Sequence, residues 1–192
     1  MSIPLRARLR SPAHGFTLIE LMVTLAILAI LATLAVPSFV DYRRNAALGA
    51  AANGLVGLLA AARSEALTRN APVQVEPLIT GNWASGWRLY VDADMDSSFD
   101  ASQDTLLRTT DPLDTRFLTA TMNRLPAYPV RYLGSGFMDA SSATRSLILY
   151  RTDITACSGI RRIAMSMSGR VLVSTPTSHS LCTAPRAIAD DS

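Results

Sequence analysis

Between residues 16 and 40 almost every position is apolar, and Glu20 is the one side chain there that can ionise. As a helix rising about 1.5 Å per residue, the run is long enough to cross the ~30 Å hydrocarbon core of a bilayer. From Arg43 the pattern changes. In RRNAALGAAANGLVGLLAAARSEALTRN, Leu48, Leu55, Leu59, Ala62 and Ala66 recur at spacings near whole helical turns, which predicts an amphipathic continuation with one stripe facing a core. One helix from residue 16 to about residue 69 is therefore expected. Pro37 removes a backbone donor within it and predicts a kink or a locally melted turn. Gly49, Gly54 and Gly57 each cost a helix up to about 1 kcal/mol against Ala, so close backbone packing is expected in compensation.

Beyond Asn70 the period falls to two. Short alternating runs at residues 73–76, 87–92, 105–108, 117–121, 130–133, 147–150, 161–165 and 170–174 are separated by Pro, Gly, Asn and Asp. The economical arrangement lays an antiparallel sheet against the Ala- and Leu-rich half of the helix, an α+β fold. About 120 residues follow the helix, enough for one domain with its own core and too few for two. No internal repeat is visible, and the closing AIADDS reads as a frayed tail.

The segment before the apolar run carries Arg6, Arg8 and Arg10 and no acid. Positive charge is retained in the cytoplasm, so the N-terminus is expected inside and nearly everything after Tyr42 outside. A secretory signal peptide also begins with a basic region, but it has a short apolar core followed by a small-x-small cleavage step. Here the run is longer and passes through Val36, Pro37 and Ser38 into the helical pattern. The step that looks built for cutting precedes the run, at Gly15.

The string GFTLIEL resembles the leader junction of type IV pilins and pseudopilins, which a prepilin peptidase cuts between Gly and Phe. The resemblance implies that Gly15 is the last leader residue, that Phe16 becomes a methylated N-terminus, and that Glu20 is the glutamate retained in the filament. Pilins also carry a proline at the place of Pro37. A carboxylate in a transmembrane helix costs about 2.5–3.5 kcal/mol at the centre and less near the interface, so Glu20 should have a partner. The expected one is the Phe16 ammonium of a neighbouring subunit, a pairing that would set axial register; the alternative is a carboxylate snorkelling to the interface.

Further along, AARSEALTRNAPVQV, GWRLYVDADMDSSFDASQDTLLR and RRIAMSMSGRVLV are similar to the pattern of the GspH/FimT family of secretion pseudopilins and minor pilins. That resemblance implies a type IV pilin-like fold: a leader (1–15), the transmembrane half of a helix (16–40), its amphipathic half (41–70) and a periplasmic β-rich domain (71–192). It implies a single-pass inner-membrane precursor that joins a type II secretion pseudopilus or a type IV pilus. The implied partners are prepilin peptidase, other pilins or pseudopilins, the inner-membrane assembly platform and the membrane itself, with no cofactor.

Cleavage would alter the charge balance. The chain has 18 cations, all Arg, and 15 acids; losing the three leader arginines leaves 15 against 15, so the basic sequence pI is weak support for nucleic-acid binding. The distribution is uneven: eight acids and two Arg lie between Glu76 and Asp114, nine Arg and two Asp between Arg116 and Arg186. This predicts an electrically two-ended domain. FimT-like proteins are understood to bind DNA through a basic patch with a Gly-Arg-x-Arg motif. Gly169 and Arg170 match it, but Leu172 replaces the second Arg, so DNA binding through Arg161, Arg162 and Arg170 requires that Arg161, Arg162, Arg151 and Arg186 converge in space to compensate. The favoured role of these arginines is a solvated strand edge or a contact with the acidic half of the next subunit.

Cys157 and Cys182 are the only cysteines, both on the expected outer side, where an oxidising compartment favours a disulfide. A zinc site is the rival, and with His179 as the one nearby His it cannot be completed from soft ligands. Asp92, Asp94, Asp96, Ser98 and Asp100 have the rhythm of a calcium loop. Ser97 stands where such a loop has its glycine and Gln103 where it has a bidentate glutamate, with Asp104 one residue out of step, so an acidic hairpin turn is preferred and no metal is expected. No nucleophile motif or glycine-rich phosphate loop accompanies His179, the one His left after cleavage removes His14, and an enzyme is not expected.

Overall fold

The computed structural model of the chain describes residues 15–122, 129–140, 145–177 and 182. Contacts divide it into two compact units, one ending at Asp41 and one beginning at Tyr42. Helix α1, Leu18–Arg69, belongs to both and is helical at Pro37 itself, so the melted turn expected there is not found. In the first unit every described side chain from residue 16 to 41 is exposed. In the second unit the same helix turns a stripe inward. Leu48, Ala52, Leu55, Leu58, Leu59, Ala62 and Ala66 are all at most 1% exposed, and they include the five positions that the periodicity marks. The close packing expected of the glycines is not found among the described residues, where a Cβ added to Gly49, Gly54 or Gly57 would meet nothing within 4 Å, because these residues lie off the buried stripe.

Eight strands follow among the described residues, each overlapping one predicted run: β1 Val73–Ile79, β2 Asn82–Val91, β3 Thr105–Thr109, β4 Leu118–Met122, β5 Val130–Tyr132, β6 Ser146–Arg151, β7 Ile160–Met165 and β8 Val171–Ser174. They form two four-stranded sheets rather than one, in the orders β3-β2-β1-β5 and β4-β6-β7-β8, and every pairing is antiparallel. Alternation marks a strand without naming its neighbour, and the division comes in the connection after β3. There the Thr110 and Leu113 N–H groups donate to the Trp87 and Ala84 carbonyls, keeping the chain on the first sheet until β4 starts the second. Pro77 stands in β1 beyond the three residues that β5 pairs with, so the donor it lacks is not missed on that side. Gly86 is obligatory in β2: at φ 92°, a Cβ would lie 2.6 Å from the Thr110 carbonyl oxygen.

Both sheets share one core with the helix. Val73, Val75, Trp83, Trp87 and Leu89 come from the first sheet, and Leu118, Leu147, Leu149 and Ile163 from the second. The second sheet is covered on its other face too, where Ile148, Ile160 and Cys182 form a small separate cluster with Tyr150 and Cys157. Cys157 and Cys182 are disulfide-bonded there, Cα to Cα 4.9 Å, as expected. Closing 25 residues, the bridge is worth roughly 3 kcal/mol in the chain-entropy model.

Candidate functional site

Phe16 is 79% exposed, and the Gly15 to Phe16 step precedes the first residue of α1. Thr17 caps the helix: its Oγ1 accepts the Glu20 N–H at 3.2 Å. Glu20 therefore stands in the first turn, where unpaired N–H groups and the helix dipole favour a carboxylate. The sequence signal was the Thr-x-x-Glu spacing of a capping box, which the apolar run around it obscures. Two more threonines hide their hydroxyls in this half of the helix, Thr24 and Thr33 donating to the carbonyls of Leu21 and Ile30 at 2.9 and 2.7 Å. By length and composition this helix is able to cross a membrane.

The three candidate DNA-binding arginines do not converge. Arg161 and Arg162 are consecutive on β7 and leave opposite faces of the sheet. Arg162 stands opposite Ile148, on the disulfide side, whereas Arg161 stands opposite Leu149 and donates through Nη1 to the carbonyls of Ser158 and Ile160 at 2.9 and 2.8 Å. Arg170 lies in the turn joining β7 to β8, at the Met165 end of the ladder. Arg162 pairs with Ser174, three residues or about 10 Å further along.

Of the arginines that were to help, Arg151 is committed to other groups. Arg151 is 2% exposed; its Nε and Nη2 grip both oxygens of Asp153 at 2.9 and 2.6 Å, and its Nη1 donates to Asn45 Oδ1 at 3.0 Å. Arg44 adds a third bond to Asp153, to Oδ2 at 2.6 Å. Hydrogen bonding from Arg151, supported by Arg44, holds the Asp153 carboxyl far below the usual carboxylate range. This cluster ties the start of the amphipathic half of α1 to β6 across more than 100 residues, a spacing at which sequence offers no signal. Arg186 and His179 lie outside the described residues.

The two charge blocks also mix. Arg131, from the basic half of the sequence, sits on β5 beside β1, and its Nη2 lies 3.4 Å from Asp92 Oδ2. Glu76 pairs across the β1–β2 ladder with Arg88 at 2.6 Å; burial raises its pKa, and Arg88 pulls it back. What stays outward is the loop between β2 and β3, where Asp94, Asp96 and Asp100 are exposed. Asp92 at its base is fully buried, and burial raises its carboxyl pKa against the opposing pull of Arg131 and Gln74. One carboxylate oxygen each from Asp92, Asp94 and Asp96 lie within 4.8 Å of one another. Asp104 closes the loop with both oxygens, accepting the N–H groups of Ala93 and Asp100 at 3.0 and 2.9 Å.

A family profile described as type II transport protein GspH matches residues 51–169. A prokaryotic N-terminal methylation motif matches residues 10–36. A fimbrial protein of Dichelobacter nodosus is 36% identical over 98 residues, which span 50% of this chain and 60% of that protein's length. Among solved structures, the type IV minor pilin FimU of Pseudomonas aeruginosa is similar in fold, with a TM-score of 0.53 at 21% identity over 69% of this chain and 94% of that one. A second crystal form of it gives 0.52.

Proposed function

The chain belongs to the family of the type II transport protein GspH, and from that premise we propose that it is a filament subunit, a minor pilin or pseudopilin made as an inner-membrane precursor. Prepilin peptidase cuts after Gly15, Phe16 becomes the methylated N-terminus, and the apolar half of α1 holds the subunit in the inner membrane with its C-terminal domain on the periplasmic side. The subunit then passes through the assembly platform into a type II secretion pseudopilus or a type IV pilus with other subunits of its kind. The observation that carries this reading is the methylation motif at residues 10–36, which brackets the Gly15–Phe16 step at the head of an exposed apolar helix.

Glu20 has its role in the filament. In the single chain it stands in the first helical turn beside the Thr17 cap, and a neighbour's Phe16 ammonium supplies the charge that a carboxylate in a hydrocarbon-like surrounding requires. The glycines off the buried stripe support the same reading, since a bare helix face permits the close approach of another helix. The scattered arginines make DNA the less favoured ligand.

Mass spectrometry of the protein recovered from membranes tests the processing step. A mature chain starting at methylated Phe16 is expected, with Gly15→Glu left unprocessed; an intact leader, or a cut beyond Val36, overturns the proposal. For assembly, Glu20→Ala should be processed normally and yet be depleted from sheared filaments. Wild-type incorporation of that variant would remove Glu20 from the mechanism.

A further inference from the structure

We propose that the loop between β2 and β3 is a calcium site built on Asp92, Asp94 and Asp96. The inference is independent of the filament reading. Two oxygens on opposite sides of a calcium ion, each bonded at about 2.4 Å, are about 4.8 Å apart. The three carboxylate oxygens already lie within 4.8 Å of one another, the span that one such ion would bridge. Asp104 adds its charge to the same region, and Arg131 is the cation facing Asp92.

A second observation comes from the buried floor rather than the exposed carboxylates. Asp92 and Gln74 are both fully buried. The Gln74 amide reaches across from β1 to donate to Asp92 Oδ2, which Arg131 also approaches. Asp92 Oδ1 and Gln74 Oε1 nevertheless have no hydrogen-bond partner among the described residues. The Ser97 backbone N–H also supports the ionised Asp92 carboxylate, whose Oδ1 has no hydrogen-bond partner of its own. Buried oxygens without donors are costly, and both orphans are acceptors, so the missing partner is a cation or water and not an anion. An all-oxygen set selects a hard cation. Magnesium demands bonds of about 2.0–2.1 Å in near-octahedral geometry and gives up its waters reluctantly, whereas calcium accepts an irregular set of carboxylate and amide oxygens, so calcium is the better fit.

The two departures from a calcium-loop spelling now have different weights. Ser97 replaces the glycine but adopts φ 66°, the left-handed conformation that the glycine would supply. The missing closing glutamate does matter. Asp104 is occupied with backbone N–H groups, so water and backbone carbonyls must complete the shell, which places the expected dissociation constant near 10⁻⁴ to 10⁻³ M.

Calorimetric titration of the full chain in detergent with calcium chloride tests the proposal. Saturable 1:1 binding in that range is expected, weakened at least about tenfold in the double variant Asp94→Asn/Asp96→Asn. Both of those side chains are exposed, so the variant should fold, and in EDTA it should melt no lower than the parent because repulsion between carboxylates is relieved. At calcium about tenfold above its dissociation constant, Tm of the parent should rise by about 3–6 °C, and that of the double variant should not. No binding heat up to about 10 mM calcium, an equal response from the double variant, or an equal or larger shift with magnesium overturns the proposal.

Discussion

Residues 18–41 and 42–69 share one helix and satisfy their apolar side chains in opposite ways. The first stretch is mostly apolar and its described side chains are all exposed, and by length and composition it is able to cross a membrane. The second confines its apolar side chains to a stripe, Leu48 to Ala66, and covers them with its own sheets. The helix thus leaves its apolar side chains bare over one stretch and buries them over the other. The change coincides with the Arg44–Asp153–Arg151–Asn45 cluster, where charged groups fasten the helix to β6 just as the buried stripe begins.

The sharpest way to break this comparison is to remove the same atoms from each half. Leu55→Ala empties a site in the shared core and should lower the unfolding free energy of the domain by about 2–5 kcal/mol. Leu28→Ala, in the exposed half, should leave the domain's Tm where it was. Thermal unfolding of both variants in detergent, followed by near-ultraviolet circular dichroism of Trp83 and Trp87, makes the measurement. Equal losses would mean that the first half is also stabilised by the domain.

A smaller effect locates the boundary itself. Asp153→Asn strips the buried Arg151 guanidinium of its anion and should cost about 1–3 kcal/mol. Amide exchange should speed up most near residues 44–48 and least around Leu59. The pH dependence has a definite sign. Asp153 is held below its unfolded value, so its contribution is fully present above about pH 4 and lost as pH falls through the folded value. Glu76 and Asp92 act oppositely, because burial raises them: their contribution is present below the unfolded value and lost as pH rises through the folded one. Acid titration of stability should therefore be shallower in Asp153→Asn than in the parent below pH of about 4.

Much of the fold could be read from periodicity alone. The change from a long apolar run to a five-position stripe and then to alternation is local information, and it pointed to the helix, its inward face and a run overlapping each of the eight described strands. The partition into two sheets was not legible, because which strands pair depends on contacts far apart in sequence. The same holds for the arginines. Arg151 looked available as a cation, yet its partners include Asp153 and, 106 residues away, Asn45. Arg161 and Arg162 looked like a patch, yet the two-residue period of a strand sends neighbours to opposite faces. Glu20 could be placed at the membrane helix from its motif, while its Thr17 cap went unread because the apolar run dominates the signal.

The smallest expected effect asks whether the outer face of the second half is solvent or interface. Gly54 and Gly57 are exposed, off the core stripe, with open space where a Cβ would point. Glycine in a helix gives up more backbone entropy on folding than alanine, so Gly54→Ala and Gly57→Ala should each stabilise the isolated subunit by about 0.5–1 kcal/mol. Gly86→Ala is the contrasting control and should destabilise, since its Cβ would strike the Thr110 carbonyl. If the face is solvent in the filament as well, the stabilised variants should assemble as well as the parent or better. If a neighbouring helix approaches there, the added methyl groups hold the backbones apart, and incorporation should fall although the subunit is more stable. The second outcome is expected, because two glycines on an exposed helical face carry a stability cost that the single chain does nothing to offset. Melting curves of the variants alongside their yield in sheared filaments separate the two, and unchanged yield would assign the face to solvent.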